Sequence, residues 1–143
     1  MDAEVRLVQN SKELDACYLV RMAVFVDEQK VPPWEEMDSH DETADHFAVF
    51  HDAEVVGTAR IVDIGDKTGK IGRVAIVKDS RNLGLGRALM LHVIGVGFDK
   101  YESLVLDAQL PVISFYEKLG FKVEGEVFLD AGIEHKRMVS RRS

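Results

Sequence analysis

The spacing of apolar side chains changes period several times along this chain, and each change marks an element. Glu4 to Val8 alternates apolar with charged residues, which predicts a first strand. Asn10 with Glu13 three positions later resembles a capping box, and Leu14, Cys17, Tyr18, Met22 and Phe25 then recur at helical spacing. An amphipathic helix is expected there, with Cys17 on its apolar stripe. Pro32-Pro33 stops any helix before it, and the stretch up to Asp45 lacks a sustained apolar face, so it reads as a loop holding at most a short helix. His46 to Phe50 and Glu54 to Val62 predict strands around a tight turn at His51-Asp52-Ala53. The polar run Asp63 to Lys70 turns the chain, and Ile71 to Val77 completes a three-strand meander.

Beyond a glycine-bearing loop, Leu85, Leu89, Val93 and Val96 form the stripe of a helix packed on a sheet, with Gly95 and Gly97 predicting fraying near its end. Ser103 to Ala108 is a short apolar strand. A right-handed crossover places it parallel to the strand before the loop. Pro111 suits the first turn of a helix over Val112 to Leu119, closed by Gly120. Phe121 to Phe128 and Glu134 to Val139 then pair around Asp130-Ala131-Gly132. Alternating helices and strands predict an α/β fold, and 143 residues without a linker or repeat predict one domain over 1–143.

Charge sharpens this picture at one place. Of 25 acidic and 18 basic residues, eight acids and Lys30 alone fall between Asp27 and Asp45, which leaves 17 of each elsewhere. One segment therefore carries the whole imbalance of −7. This argues against nucleic acid as a partner, because phosphate binding needs a basic face. The segment is either a solvated loop or a patch that attracts a cation such as an amine. Cys17 is the only cysteine, so no intrachain disulfide or thiolate metal cluster is expected, and the longest apolar run, Leu89 to Phe98, is too short to span a bilayer. A cytoplasmic location follows as the default expectation. His40, Asp41, Asp45 and His46 match no ordered ligand pattern, and no metal is expected.

The loop Arg81-Asn82-Leu83-Gly84-Leu85-Gly86-Arg87 carries the clearest chemistry. A strand that ends in a glycine turn at a helix N-terminus leaves several N–H groups pointing one way, which favours a phosphate there. The competing reading is a plain turn. A P-loop would need Lys-Ser or Lys-Thr where Arg87-Ala88 stands, and a dinucleotide fingerprint would need a third glycine. What remains, Arg-x-x-Gly-x-Gly, resembles the pyrophosphate-binding signature of the GNAT superfamily of N-acetyltransferases. Phe115-Tyr116-Glu117-Lys118-Leu119-Gly120-Phe121 and the strand Val74-Ala75-Ile76 match further segments, and the element order resembles that fold over essentially the whole chain. Val24-Phe25-Val26-Asp27-Glu28-Gln29 and Phe128 to His135 resemble a branch of small, mostly uncharacterised bacterial members.

The resemblance implies a mixed sheet of about six to seven strands, splayed between its two parallel central strands. It implies acetyl-CoA as donor co-substrate, with pyrophosphate on residues Arg81, Asn82, Leu83, Gly84, Leu85, Gly86 and Arg87, the pantetheine arm beside Val74, Ala75 and Ile76, and Gln109 on a pantetheine amide. An N–H of the Val74 to Ile76 region would hold the acetyl oxygen as charge builds on it. Tyr116 would protonate the departing thiolate. An alkylammonium acceptor has a pKa of about 10.4, so its proton must be removed. This strand offers only Arg73 among charged residues, so the base is sought in Glu28 first, then His46, His135 or a water relay. The resulting expectation is direct acetyl transfer to a primary amine, small or peptide-borne, by a monomer or homodimer without membrane or metal. A non-catalytic acyl-CoA sensor or interaction module is the alternative, and transfer to a hydroxyl or of another acyl group is a third reading.

Overall fold

The computed structural model describes residues 3–142. Seven strands form one mixed sheet in the order β1-β2-β3-β4-β5-β7-β6, with β4 and β5 parallel and every other neighbouring pair antiparallel. The strands are β1 (Ala3–Leu7), β2 (Asp45–His51), β3 (Glu54–Asp63), β4 (Thr68–Ile76), β5 (Ser103–Gln109), β6 (Lys122–Asp130) and β7 (Ile133–Arg141). Between them lie the helices α1 (Ser11–Arg21), α2 (Pro33–Glu36), α3 (Leu85–Lys100) and α4 (Ile113–Glu117). This is the α/β architecture that the periodicity predicts, including the parallel pair made by the α3 crossover.

The turns are tighter than expected. Asp52 and Ala53 both take positive φ, as do Ala131 and Gly132, so each hairpin closes on two residues whose twist matches the flanking strands. Gly120 has φ 98° and the Phe121 N–H reaches back to the Tyr116 carbonyl at 3.2 Å, the left-handed stop that ends α4. Helix α4 itself is shorter than the expected 112–119 because residues 110–112 form a 3-10 turn around Pro111.

Two expectations about helices are corrected. Gly95 and Gly97 do not fray α3, which runs through to Lys100. Gly97 is buried against β5, and a Cβ there would meet the Leu104 side chain at 2.8 Å, so its smallness sets the helix-to-sheet distance. Along α1 and the turn after it the buried residues are Cys17, Val20, Arg21 and Val24; of the predicted stripe Leu14, Cys17, Tyr18, Met22 and Phe25, only Cys17 is fully buried. A wholly buried arginine is invisible to a hydropathy pattern, which explains the difference. Asn10 caps α1 as expected, accepting the Glu13 N–H at 2.9 Å, and Cys17 is buried core with its thiol directed to the Phe47 carbonyl. Past Arg21 the helix continues as seven residues of π-helix, Met22–Glu28.

Arg21 is buried because it is paired. Its guanidinium meets Glu36 at 2.6 Å and Asp41 at 2.8 and 3.0 Å. Arg60 of β3 takes Asp38 through two bonds of 2.7 and 2.8 Å and Asp41 at 2.8 Å. Arg73 of β4 donates to the Glu36 carbonyl at 2.8 and 3.1 Å and lies 3.3 Å from Asp38. Farther out, Glu28 pairs with Arg81 and Asp45 with Lys100. The acidic segment is thus not a free solvated loop: five of its eight carboxylates are matched by bases distant in sequence.

Burial, the strongest single influence, pushes the Asp41 carboxyl up, but the bonds and charges of Arg21 and Arg60 outweigh it and hold it at about 2. Asp38 is lowered chiefly by its bond to Arg60. Both folded values lie below the unfolded value of about 3.9, so this stabilisation is complete above about pH 5 and is lost as pH falls through the folded values. Thermal melts should therefore be flat near neutrality and drop steeply between about pH 4 and pH 2, and Asp41→Asn should flatten that drop. Arg21→Met, which strands Glu36 and Asp41, should lose about 3–5 kcal/mol in denaturant titration at pH 7. An unchanged midpoint would dismiss the cluster as a structural determinant.

Candidate functional site

The site begins with a local defect in β4. Its register against β3 shifts opposite Ala59, and Arg73 takes φ 53°, a β-bulge that adds a residue and turns the strand. The bulge also flips the alternation: Ile71 belongs to the core under α3, whereas Ala75, an even number of residues on, packs with Val20 and Val24 of the first helix. Parallel pairing of β4 with β5 stops at Ile71 and Leu106, just before that bulge. Past this point the strands splay, and a cleft of about 700 Å³ opens between them. Val74, Ala75 and Ile76 form one wall, while Ala108 and Gln109 stand opposite, and Phe115 and Tyr116 of α4 close the end.

At its outer end the cleft runs into a second hollow of about 260 Å³ formed mainly by residues 80–82 and 84–87, the two sharing Ile76, Arg81, Gly86 and Phe115. Asn82 has φ 66° and Gly84 φ 77°, and α3 starts at Leu85 without a side-chain cap. Among the described residues, the N–H groups of Asn82, Leu83, Gly84, Leu85, Gly86 and Arg87 donate to no protein acceptor. Six consecutive free donors at the positive end of a helix form an anion cradle. Leu83 is exposed and lines neither hollow, so only its backbone can serve there.

Two contacts span the cleft mouth, and both come from the end of the π-helix. Glu28 holds Arg81 through bonds of 2.7 and 2.9 Å, and Gln29 accepts from Gln109 at 2.9 Å. Arg81 also donates to the Ile76 carbonyl at 2.9 Å. The bond to Arg81 is the main cause that holds the Glu28 carboxyl below its ordinary range. Glu28 does not line the cleft, whereas Gln29 and Gln109 do.

Tyr116 is buried in the cleft end with its ring edge-on to Phe115 and Phe121, and burial pushes its hydroxyl up to about 12. His135 lines the cleft. Its Nδ1 lies 2.7 Å from the Ile133 carbonyl, which can only accept, so in the neutral ring Nδ1 carries the proton and Nε2 keeps the lone pair. His46 is elsewhere: its Nε2 donates to the Asp41 carbonyl at 2.9 Å, and the residue lies outside the cleft. Its role is to brace the carboxylate cluster. Among the described residues no three His, Cys, Asp or Glu side chains gather as a metal would require, and no helix is long and apolar enough to cross a membrane.

Sequence reasoning missed several lining groups. Gln29 was hidden in a polar run. Asp107 stands on β5 between Lys70 at 3.1 Å and Arg137. Burial, its largest influence, pushes its carboxyl up, but these two bases outweigh it and lower it. Glu36 is one of eight similar acids in sequence and is distinguished only by being buried beside the cleft. Arg73 did carry a signal, as the one charge in an apolar strand.

With this geometry the comparisons agree. The model of the acetyltransferase (GNAT) family matches residues 11–121. The uncharacterized N-acetyltransferase YjcF of Bacillus subtilis is 35% identical over 135 residues, covering 93% of this chain and 96% of its own. An acyl-CoA N-acyltransferase from Pseudomonas aeruginosa superposes with a TM-score of 0.84 at 28% identity, covering 97% and 98% of the two chains. A GNAT family acetyltransferase from Elizabethkingia anophelis with acetyl-CoA bound shares the fold, with a TM-score of 0.70 at 17% identity over 98% of each chain. The splayed strands, the six free N–H groups and these matches place the chain in the GNAT family of acetyltransferases.

Proposed function

We propose that this protein transfers an acetyl group directly from acetyl-CoA to a primary amine. The observation that carries the reading is the run of free N–H groups from Asn82 to Arg87 at the mouth of the splayed strands. The pyrophosphate sits on that run with Arg81 and Arg87 beside it. The pantetheine arm follows Val74, Ala75 and Ile76, pairing with backbone that β5 leaves free, and Gln109 turns from Gln29 to an arm amide. The Elizabethkingia structure of the same fold holds acetyl-CoA, which supports the choice of co-substrate.

Chemistry follows from the groups at the inner end. The ammonium acceptor loses a proton to His135 Nε2, directly or through water, and its lone pair attacks the thioester carbon. A strand N–H near Val74 to Ile76 stabilises the oxygen as the carbonyl becomes tetrahedral. Collapse breaks the C–S bond, Tyr116 gives its proton to the thiolate, and the amide nitrogen returns one to Tyr116. The products are an N-acetyl amide, free CoA and one proton, released from His135. A hydroxyl pushed up to about 12 stays protonated throughout the working range, so Tyr116 is available as an acid whenever thiolate forms. Glu28 is not the base in this scheme. Its carboxylate neutralises Arg81 until a pyrophosphate competes for the guanidinium.

Calorimetric titration with acetyl-CoA and CoA tests the cofactor site. Gly86→Asp is the discriminating variant, because a Cβ there meets Phe115 only at 3.8 Å and a carboxylate in the first turn suits the helix, so folding survives. Its like charge against pyrophosphate should weaken binding by roughly 100-fold or more. Equal binding would remove the loop from the cofactor site. Tyr116→Phe should lower kcat by about 100-fold with little change in acetyl-CoA affinity; unchanged turnover would strip Tyr116 of its role. Glu28→Gln should keep kcat within a few-fold and tighten CoA binding by releasing Arg81, whereas His135→Gln should depress kcat by about 100-fold. The reverse pattern, a large loss at Glu28 with His135 neutral, would reassign the base.

A further inference from the structure

We propose that Glu36 is the residue that grips the acceptor's amine nitrogen, an inference that rests on the N-acetyltransferase reading and specifies its acceptor as an alkylammonium. Glu36 is 2% exposed yet lines the inner cleft. Its two carboxylate oxygens are treated very differently. Oε1 accepts from Arg21 at 2.6 Å and lies 3.5 Å from Arg73, whereas Oε2 is buried with no hydrogen-bond partner. A buried carboxylate oxygen without a donor is unfavourable, and persists where a ligand supplies the missing bond. A cationic N–H is the strongest partner it can have.

The surroundings fit that ligand. Glu36 stands at the end of α2, held from behind by Arg21 and through its backbone carbonyl by Arg73, so its position is fixed before any acceptor arrives. The inner cluster pairs three arginines, Arg21, Arg60 and Arg73, with three carboxylates, Glu36, Asp38 and Asp41, leaving no net positive charge to repel an ammonium. Glu35 lines the same wall. Val24 and Phe25, projecting from the π-helix, offer an apolar surface for the carbon chain behind the amine. A neutral hydroxyl in that position could also donate, but it would lack the charge that the oxygen selects.

The test uses the intact protein saturated with CoA, with phenethylammonium as the probe and 2-phenylethanol as its neutral counterpart, read by calorimetry. The ammonium should bind and the alcohol should bind at least about tenfold more weakly. Glu36→Gln keeps an oxygen for Arg21 but turns an NH2 donor toward the amine, so ammonium affinity should fall about tenfold or more while CoA affinity stays unchanged. Absent ammonium binding to the wild type, equal binding of the alcohol, or an unaffected Gln variant would each overturn the assignment. Should the variant fail to fold, the wild type alone decides: the Glu36 carboxylate ¹³C resonance shifts on adding phenethylammonium, and an unmoved resonance overturns the proposal. Amine-dependent release of CoA, assayed separately on the wild type, keeps the two ideas distinct, since turnover that persists without a Glu36 contact sinks only the anchor.

Discussion

Everything about the cleft's geometry rests on one buried cluster of opposite charges. Three arginines from α1, β3 and β4 converge on carboxylates that belong to a single irregular stretch, residues 36–41. That stretch has almost no apolar side chains with which to attach itself to the sheet, and its own helix is one turn long. Ion pairs replace hydrophobic contact as the fastening. Such an arrangement contributes less net stability than an apolar core of equal volume would, because each ion must be dehydrated. What it supplies is position: a bidentate bond from Arg60 to Asp38 and a shared Asp41 between Arg21 and Arg60 allow one register of the segment against the sheet.

The same cluster explains why the sheet opens where it does. Arg73 is the bulged residue of β4, and its left-handed backbone is tolerated because its side chain is anchored on the Glu36 carbonyl. A bulge increases local twist, so β4 leaves β5 past their last paired position, Ile71 and Leu106. Strand backbone then faces a cleft instead of a neighbouring strand, and a helix start with six idle donors lies at the cleft's mouth. A structural ion cluster, a strand defect and an anion cradle are thus consecutive consequences of one strand, β4, and the turn that follows it.

How much of this was legible in the sequence depends on whether a feature is local. The glycine loop, the hairpins and the α3 crossover follow from turn chemistry and periodicity within about thirty residues, and they were readable. Tyr116 was singled out because Phe115 to Phe121 resembles the family's tyrosine-bearing helix, whose exit at Gly120 is local and legible. The charge cluster was not, since its partners lie 15 to 37 positions apart and Arg21 resembles any surface arginine until Glu36 and Asp41 are placed around it. The acidic run looked like surplus charge for the same reason. Glu28 was singled out on the resemblance of its neighbours, whereas Glu36 is marked by burial and an unpartnered oxygen, neither of which is written in a linear pattern. The π-helix is equally silent in sequence, because nothing in Met22–Glu28 marks a wider turn as a glycine or proline marks a stop.

That π-helix connects the two ends of the cleft. Its Val24 and Phe25 face the inner chamber, while Glu28 and the following Gln29 reach the outer mouth and hold Arg81 and Gln109. On the proposed reading both outer contacts are exchanged for contacts to the cofactor, so binding acetyl-CoA releases the C-terminal end of a segment whose N-terminal end borders the amine chamber. An α-helical turn closed by regular bonds would resist such a change more strongly than the wider π turn, whose bonds span one residue more. Arg21 sits at the junction, the last residue of the regular helix and the deepest charge of the cluster. The bonds of Arg21 to Glu36 and Asp41 therefore tie that junction to the wall carrying Glu36.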